Sequence, residues 1–115
     1  MKGTLIAGLG FGVAFSGAGD TVEGEVALEH SPLCEFFVVL TQRGASLLDW
    51  RGGHYVVTEG DPVIGPLYSR GVQTFQVDGQ TMKAMVEGWG VEGRIAREIF
   101  RSRCKLDVMA PEGAV

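Results

Sequence analysis

The sequence predicts a mainly β fold: a small SH3-like or OB-like barrel of five to seven short strands with one C-terminal amphipathic helix. Three observations carry this. From residue 19 onward, short alternating apolar segments are separated by turn residues. Asp78-Gly79 lies between two such segments, where a two-residue hairpin turn needs residues that tolerate positive φ. After Val91 the apolar period lengthens from two to that of a helix. The chain has 115 residues, 45% of them apolar and 21% charged, which suits one core and excludes disorder and multi-domain enzymes.

The elements follow in order. Val22 to Glu29 alternates Val22, Gly24, Val26 and Leu28 against Glu23, Glu25, Ala27 and Glu29, which predicts one inward face and one wet, acidic face. Ser31-Pro32 breaks it. Glu35 to Thr41 is a continuous run of β-formers and reads as a strand buried on both faces. Ser46 to Trp50 and His54 to Thr58 flank Arg51-Gly52-Gly53, which predicts a hairpin with a bulge. Val63 to Tyr68 reads as a short strand interrupted by Gly65-Pro66. Val72 to Val77 and Gln80 to Trp89 form the hairpin about Asp78-Gly79, with Phe75 opposite Met82. A helix over 91–105 follows, with Val91, Ile95, Ala96, Ile99 and Phe100 as its apolar stripe and Arg94, Arg97, Arg101 and Lys105 opposite. Residues 19–106 make one domain and 107–115 a flexible tail.

The first 18 residues admit two readings. One charge at Lys2, an uncharged run from Leu5 to Phe15 and the small residues Ser16-Gly17-Ala18 are the pattern of a signal peptide. That reading places the protein outside the cytoplasm, exported or periplasmic. The same run alternates about Gly8, Gly10 and Gly12, the pattern of a first strand, and then the protein is cytoplasmic or held at a membrane by the retained segment. The run is too short to span a bilayer as a helix.

Charge limits the partners. The net charge of −4 provides no general field for nucleic acid. Residues 91–105 carry five bases against two acids, whereas residues 19–90 carry ten acids against four bases, so the basic helix face suits an acidic surface of its own domain or of a neighbour.

Cys34 and Cys104 are the two cysteines, and export implies a disulfide between them, whereas a reducing compartment implies buried thiols. His30, Cys34, His54 and Cys104 lack metal-ligand spacing, and Pro32 prevents a helix that would align the first two. No Gly-x-Ser-x-Gly elbow occurs, and Gly8, Gly10 and Gly12 do not make a dinucleotide fingerprint. The sequence therefore implies no catalytic residue, metal, cofactor or dinucleotide.

Trp50, Arg51, His54 and Tyr55 cluster about the expected loop and are types that bind ligands or partners there. The expectation is a non-catalytic binding or assembly module. It recognises a protein partner or its own subunits through these four residues or through Arg97 and Arg101 of the helix. Two alternatives stand beside it: a ligand-carrying or enzymatic barrel with a pocket near His54, Tyr55 and Tyr68, and a structural oligomer assembled through the glycine-alternating N-terminal segment.

Overall fold

A computed structural model describes residues 21–30, 33–54 and 57–105. The readings of residues 1–18, of Tyr55 and of the 107–115 tail lie outside the described residues. Among the described residues, six strands precede one helix: β1 (Val22–His30), β2 (Cys34–Thr41), β3 (Gly44–Gly53), β4 (Pro62–Gly65), β5 (Gly71–Val77), β6 (Gln80–Val91) and α1 (Gly93–Cys104). All strand pairs are antiparallel, in the order β1-β2-β3-β6-β5-β4, and β4 returns to β1 to close a barrel. The contact on the other side of β4 is short, since β4 pairs with β5 only at Val63–Val77 and Ile64–Gln76.

The barrel has two hydrophobic cores, one inside it and one between its outer wall and the helix. Phe37, Val39, Leu48, Leu67, Phe75 and Met82 are among the buried residues that fill the interior. Phe36, Val38, Ala45 and Leu47 point outward and are covered by Ala96, Phe100 and Cys104. Strand β2 thus alternates between two dry environments, which is why its sequence reads as a continuous apolar run. Each aromatic or branched side chain so buried contributes roughly 1.5–3 kcal/mol.

Bulges decide which face a residue takes. In β1, Val26 pairs with Val39 but Leu28 pairs with Val38, so an extra residue enters the strand. The expected alternation therefore ends at Val26. Leu28 passes to the outer core with Val38 rather than joining Val22, Gly24 and Val26 inside.

The expected hairpin at Arg51-Gly52-Gly53 does not form. Strand β3 runs on through Gly53, bulges between Trp50 and Gly52, and pairs with Lys83 and Met82 of β6. His54 and Thr58 lie outside any strand. The long partner strand β6 offers ladder positions beyond Trp50, and β3 uses them instead of turning back. Strand β4 ends at Gly65, and the predicted continuation to Tyr68 is a loop, because Pro66 has no N–H to give a ladder.

The β5–β6 hairpin has the predicted register, with Val77 opposite Gln80 and Phe75 opposite Met82. Asp78 and Gly79 have φ of 52° and 77°, as a type I′ turn requires. The helix is shorter than predicted, because Val91 ends β6. Its buried line is Ala96, Phe100 and Cys104, spaced by four, while Ile95 is 42% exposed. Lys105, at φ 58°, ends the helix with its N–H turned back to the carbonyls of Arg101 and Ser102.

Cys34 and Cys104 are joined by a disulfide, their Cα atoms 5.5 Å apart. The bridge fastens the last residue of α1 to the first of β2.

Candidate binding surfaces

The sequence-nominated residues fall into separate neighbourhoods. Trp50 packs against the interior core and donates its indole N–H to the carbonyl of His54 at 3.0 Å. Arg51 pairs with Asp49 at 3.0 Å. Arg97 and Arg101 are exposed on α1, one helical turn apart. Tyr68 lies where β2 ends, its hydroxyl donating to Thr41 Oγ1 at 3.0 Å, whereas His54 donates its backbone N–H to Thr81 near the β5–β6 turn. The ten residues of β3 lie between these two ends, which sets His54 apart from Tyr68.

Beside Trp50, the helix is locked to the barrel through Arg103, a residue that periodicity did not single out. Its guanidinium lies 4.3 Å from the Phe36 ring centroid, donates to both carboxylate oxygens of Glu87 at 2.6 and 3.1 Å, and reaches Asp49 at 3.5 Å. Asp49 therefore sits between Arg51 and Arg103. Glu87 is presented by a bulge: Val86 pairs with Leu48 and Gly88 with Leu47, which leaves Glu87 as the extra residue. The hydrogen bonds to Glu87, aided by the Glu87 and Asp49 charges and opposed by burial, raise the Arg103 pKa above its ordinary value. Every charge in the group has an opposite partner within the protein, which makes it a fastening.

The end of the barrel beside the β2–β3 turn is arranged differently. Arg43 lies in that turn, with its guanidinium 4.9 Å from the Tyr68 ring centroid. Arg70, in the β4–β5 loop, lies 5.8 Å from the Trp89 ring centroid and donates to the backbone carbonyl of Glu87. The ring of contacts is closed by the backbone: the Arg43 carbonyl oxygen lies 3.5 Å from where a Cβ on Gly90 would stand, and Gly90 follows Trp89. Three chain segments thus bring two arginines and two aromatic rings to one rim.

The rim is held from below. Ser46 Oγ, fully buried, donates to the Leu67 carbonyl at 3.0 Å, and Gln73 Nε2 donates to the carbonyls of Ser69 and Arg70, both at 3.3 Å. Thr41 Oγ1 accepts from the Arg43 N–H at 3.0 Å and donates to the Gly44 carbonyl at 2.8 Å. The loops that carry Arg43, Tyr68 and Arg70 are therefore preset, and a partner need not order them. Among the described residues, neither Arg43 nor Arg70 has a carboxylate within 4.0 Å, unlike Arg51, Arg94 and Arg103. Both arginines are exposed, and Trp89 is 38% exposed.

The cysteine sulfurs are bonded to each other and so are not thiolate ligands. Among the described residues, no group of three or more metal-ligating side chains is assembled. No helix among them is long and apolar enough to cross a membrane.

Comparisons with protein-family models, with curated proteins and with solved structures return no match to this chain.

Proposed function

We propose that this protein is a non-catalytic binding or assembly module that recognises a protein partner through the rim formed by Arg43, Tyr68, Arg70 and Trp89. The observation that carries the reading is the pair of arginines held over aromatic rings at an exposed rim, without carboxylate partners among the described residues. Arginine, tyrosine and tryptophan are the residue types that concentrate binding energy at interfaces, and rigid presentation lowers the entropy lost on binding. The Trp50 edge is a weaker candidate. Its indole N–H is committed to His54, and its neighbouring charges are neutralised by Asp49 and Glu87.

The test compares two triple variants as bait in the native host, with quantitative mass spectrometry of what each retains. Arg43→Ala/Arg70→Ala/Trp89→Ala is expected to lose the partner that the wild-type chain enriches, at least tenfold. The control Trp50→Phe/Arg97→Ala/Arg101→Ala is expected to keep it. Retention by the first variant and loss by the second moves the interface to the helix and the Trp50 edge and overturns the reading.

A further inference from the structure

The rim adjoins a surface of opposite charge. A groove of about 470 Å³ lies on the outer wall beside the β2–β3 turn, lined by Glu23, Glu25, Leu40, Thr41, Gln42 and Pro62. Glu25 pairs across the sheet with Leu40, and Glu23 with Ile64. Both glutamates are exposed, and the two apolar neighbours are 51% and 41% exposed, on a part of the wall that α1 does not cover. Gln42, which lines the groove, is followed in the chain by Arg43. Among the described residues, no ion pair engages Glu23 or Glu25 of the groove or Arg43 and Arg70 of the rim, and Arg43 is drawn over Tyr68 instead.

From this juxtaposition we infer that the partner at the rim is a second copy of this chain, bound about a two-fold axis near Gln42. This rests on the reading of the rim as the binding face and names its occupant. A two-fold axis brings the same patch of each protomer against itself, so a patch is self-complementary only when it carries both signs on either side of the axis. Here Arg43 and Arg70 of one protomer meet Glu23 and Glu25 of its partner, and the reciprocal set forms on the other side. Leu40 and Ile64 of the two copies then cover one another, which provides the apolar burial that ion pairs alone do not. The charges fix the register and accelerate the encounter, and added salt weakens both.

The experiment is sedimentation velocity and light scattering of the full chain with charge reversal. The wild type is expected at twice its 12.3 kDa chain mass and to dissociate as salt is raised from about 0.05 M to about 0.5 M. Arg43→Glu/Arg70→Glu and Glu23→Arg/Glu25→Arg are each expected to be monomeric, with far-UV circular dichroism like wild type because all four side chains are exposed. An equimolar mixture of the two variants, one with all-negative and one with all-positive patches, is expected to recover the dimer. A monomeric wild type, dimers that survive either reversal, or a mixture that stays monomeric would each overturn the inference. A monomeric wild type whose arginine variant still loses its captured partner separates the outcomes: the second copy is then refuted and the binding face stands.

Discussion

Arg103 of α1 holds both carboxylate oxygens of Glu87 on β6, at 2.6 and 3.1 Å, while its guanidinium plane covers Phe36. This places a two-pronged ion pair over the outer core at the point where the helix ends. The pair is 39% and 29% exposed, so solvent screens it, and its contribution is about 1 kcal/mol rather than that of a buried bridge. Arg103→Ala is expected to cost about 1–2 kcal/mol, including the lost cover of Phe36. Arg103→Lys restores little of it, because an ammonium neither forks nor stacks. Urea unfolding of the three proteins measures this.

The same pair sets a pH dependence. Folding raises the Arg103 pKa, so its contribution is fully present below the ordinary arginine range and is lost only as pH rises through the folded value. The stability gap between wild type and Arg103→Ala is therefore expected to stay constant from about pH 7 to about pH 10. A gap that closes within that window would show that the ion pair is not its source.

The disulfide between Cys34 and Cys104 spans a sequence separation of 70 residues. A loop of that length implies roughly 4 kcal/mol of stabilisation by restriction of the unfolded chain. The double variant Cys34→Ser/Cys104→Ser is expected to lose a large part of this. Amide exchange is expected to accelerate first in α1, whose C-terminal end the bridge fastens, and only later in β5 and β6. Uniform acceleration across the chain would mean that the helix and barrel unfold as one unit even without the bridge.

Two glycines differ in why they are glycine. Gly79 has φ of 77° and open space where a Cβ would stand, so Gly79→Ala meets only backbone strain and costs about 1 kcal/mol. Gly65 has no such φ, but a Cβ there would lie 2.5 Å from Phe75 Cδ1 and 3.0 Å from the Thr74 carbonyl oxygen. Gly65→Ala is therefore expected to cost roughly 3 kcal/mol by overpacking against the barrel core. A truncating second change, Phe75→Leu, recovers part of the loss at Gly65 and none at Gly79. Denaturant midpoints of the four variants distinguish the two causes.

The closed barrel and its helix were legible because local signals agreed with the fold. Asp78-Gly79 set the β5–β6 register, and four-residue spacing marked Ala96 and Phe100. The bulges were not legible. Nothing local in Val22 to Glu29 shows that Leu28 changes face, since the helix that receives it lies some seventy residues further on. The Arg51-Gly52-Gly53 turn failed for a related reason: glycine permits a turn without requiring one, and pairing with β6 prevailed. At the rim, part of the site could have been found. Extending the register from Gly71 opposite Val86 by one residue puts Arg70 beside Glu87 and close to Trp89. Arg43 and Arg103 had no such signal, because Tyr68 comes to Arg43 from a distant loop when the barrel forms and Glu87 comes to Arg103 when the helix docks on the wall.

The two tryptophans separate structure from recognition. Trp50 is half-buried against the interior core, and its N–H is satisfied by the His54 carbonyl. Trp50→Ala is expected to cost about 3 kcal/mol, and Trp50→Phe about 1 kcal/mol for the lost hydrogen bond. Trp89, 38% exposed beneath Arg70, is expected to cost less than Trp50 on replacement by alanine, about 1–2 kcal/mol for its covered part. Its loss also frees Arg70 from its aromatic support and weakens whatever binds the rim. In Trp50→Phe the remaining indole reports directly on that surface, so its emission is expected to shift as protein concentration rises and the rim is covered. An emission spectrum indifferent to concentration and to a captured partner would place recognition elsewhere, on the exposed flank of α1 that carries Arg97 and Arg101.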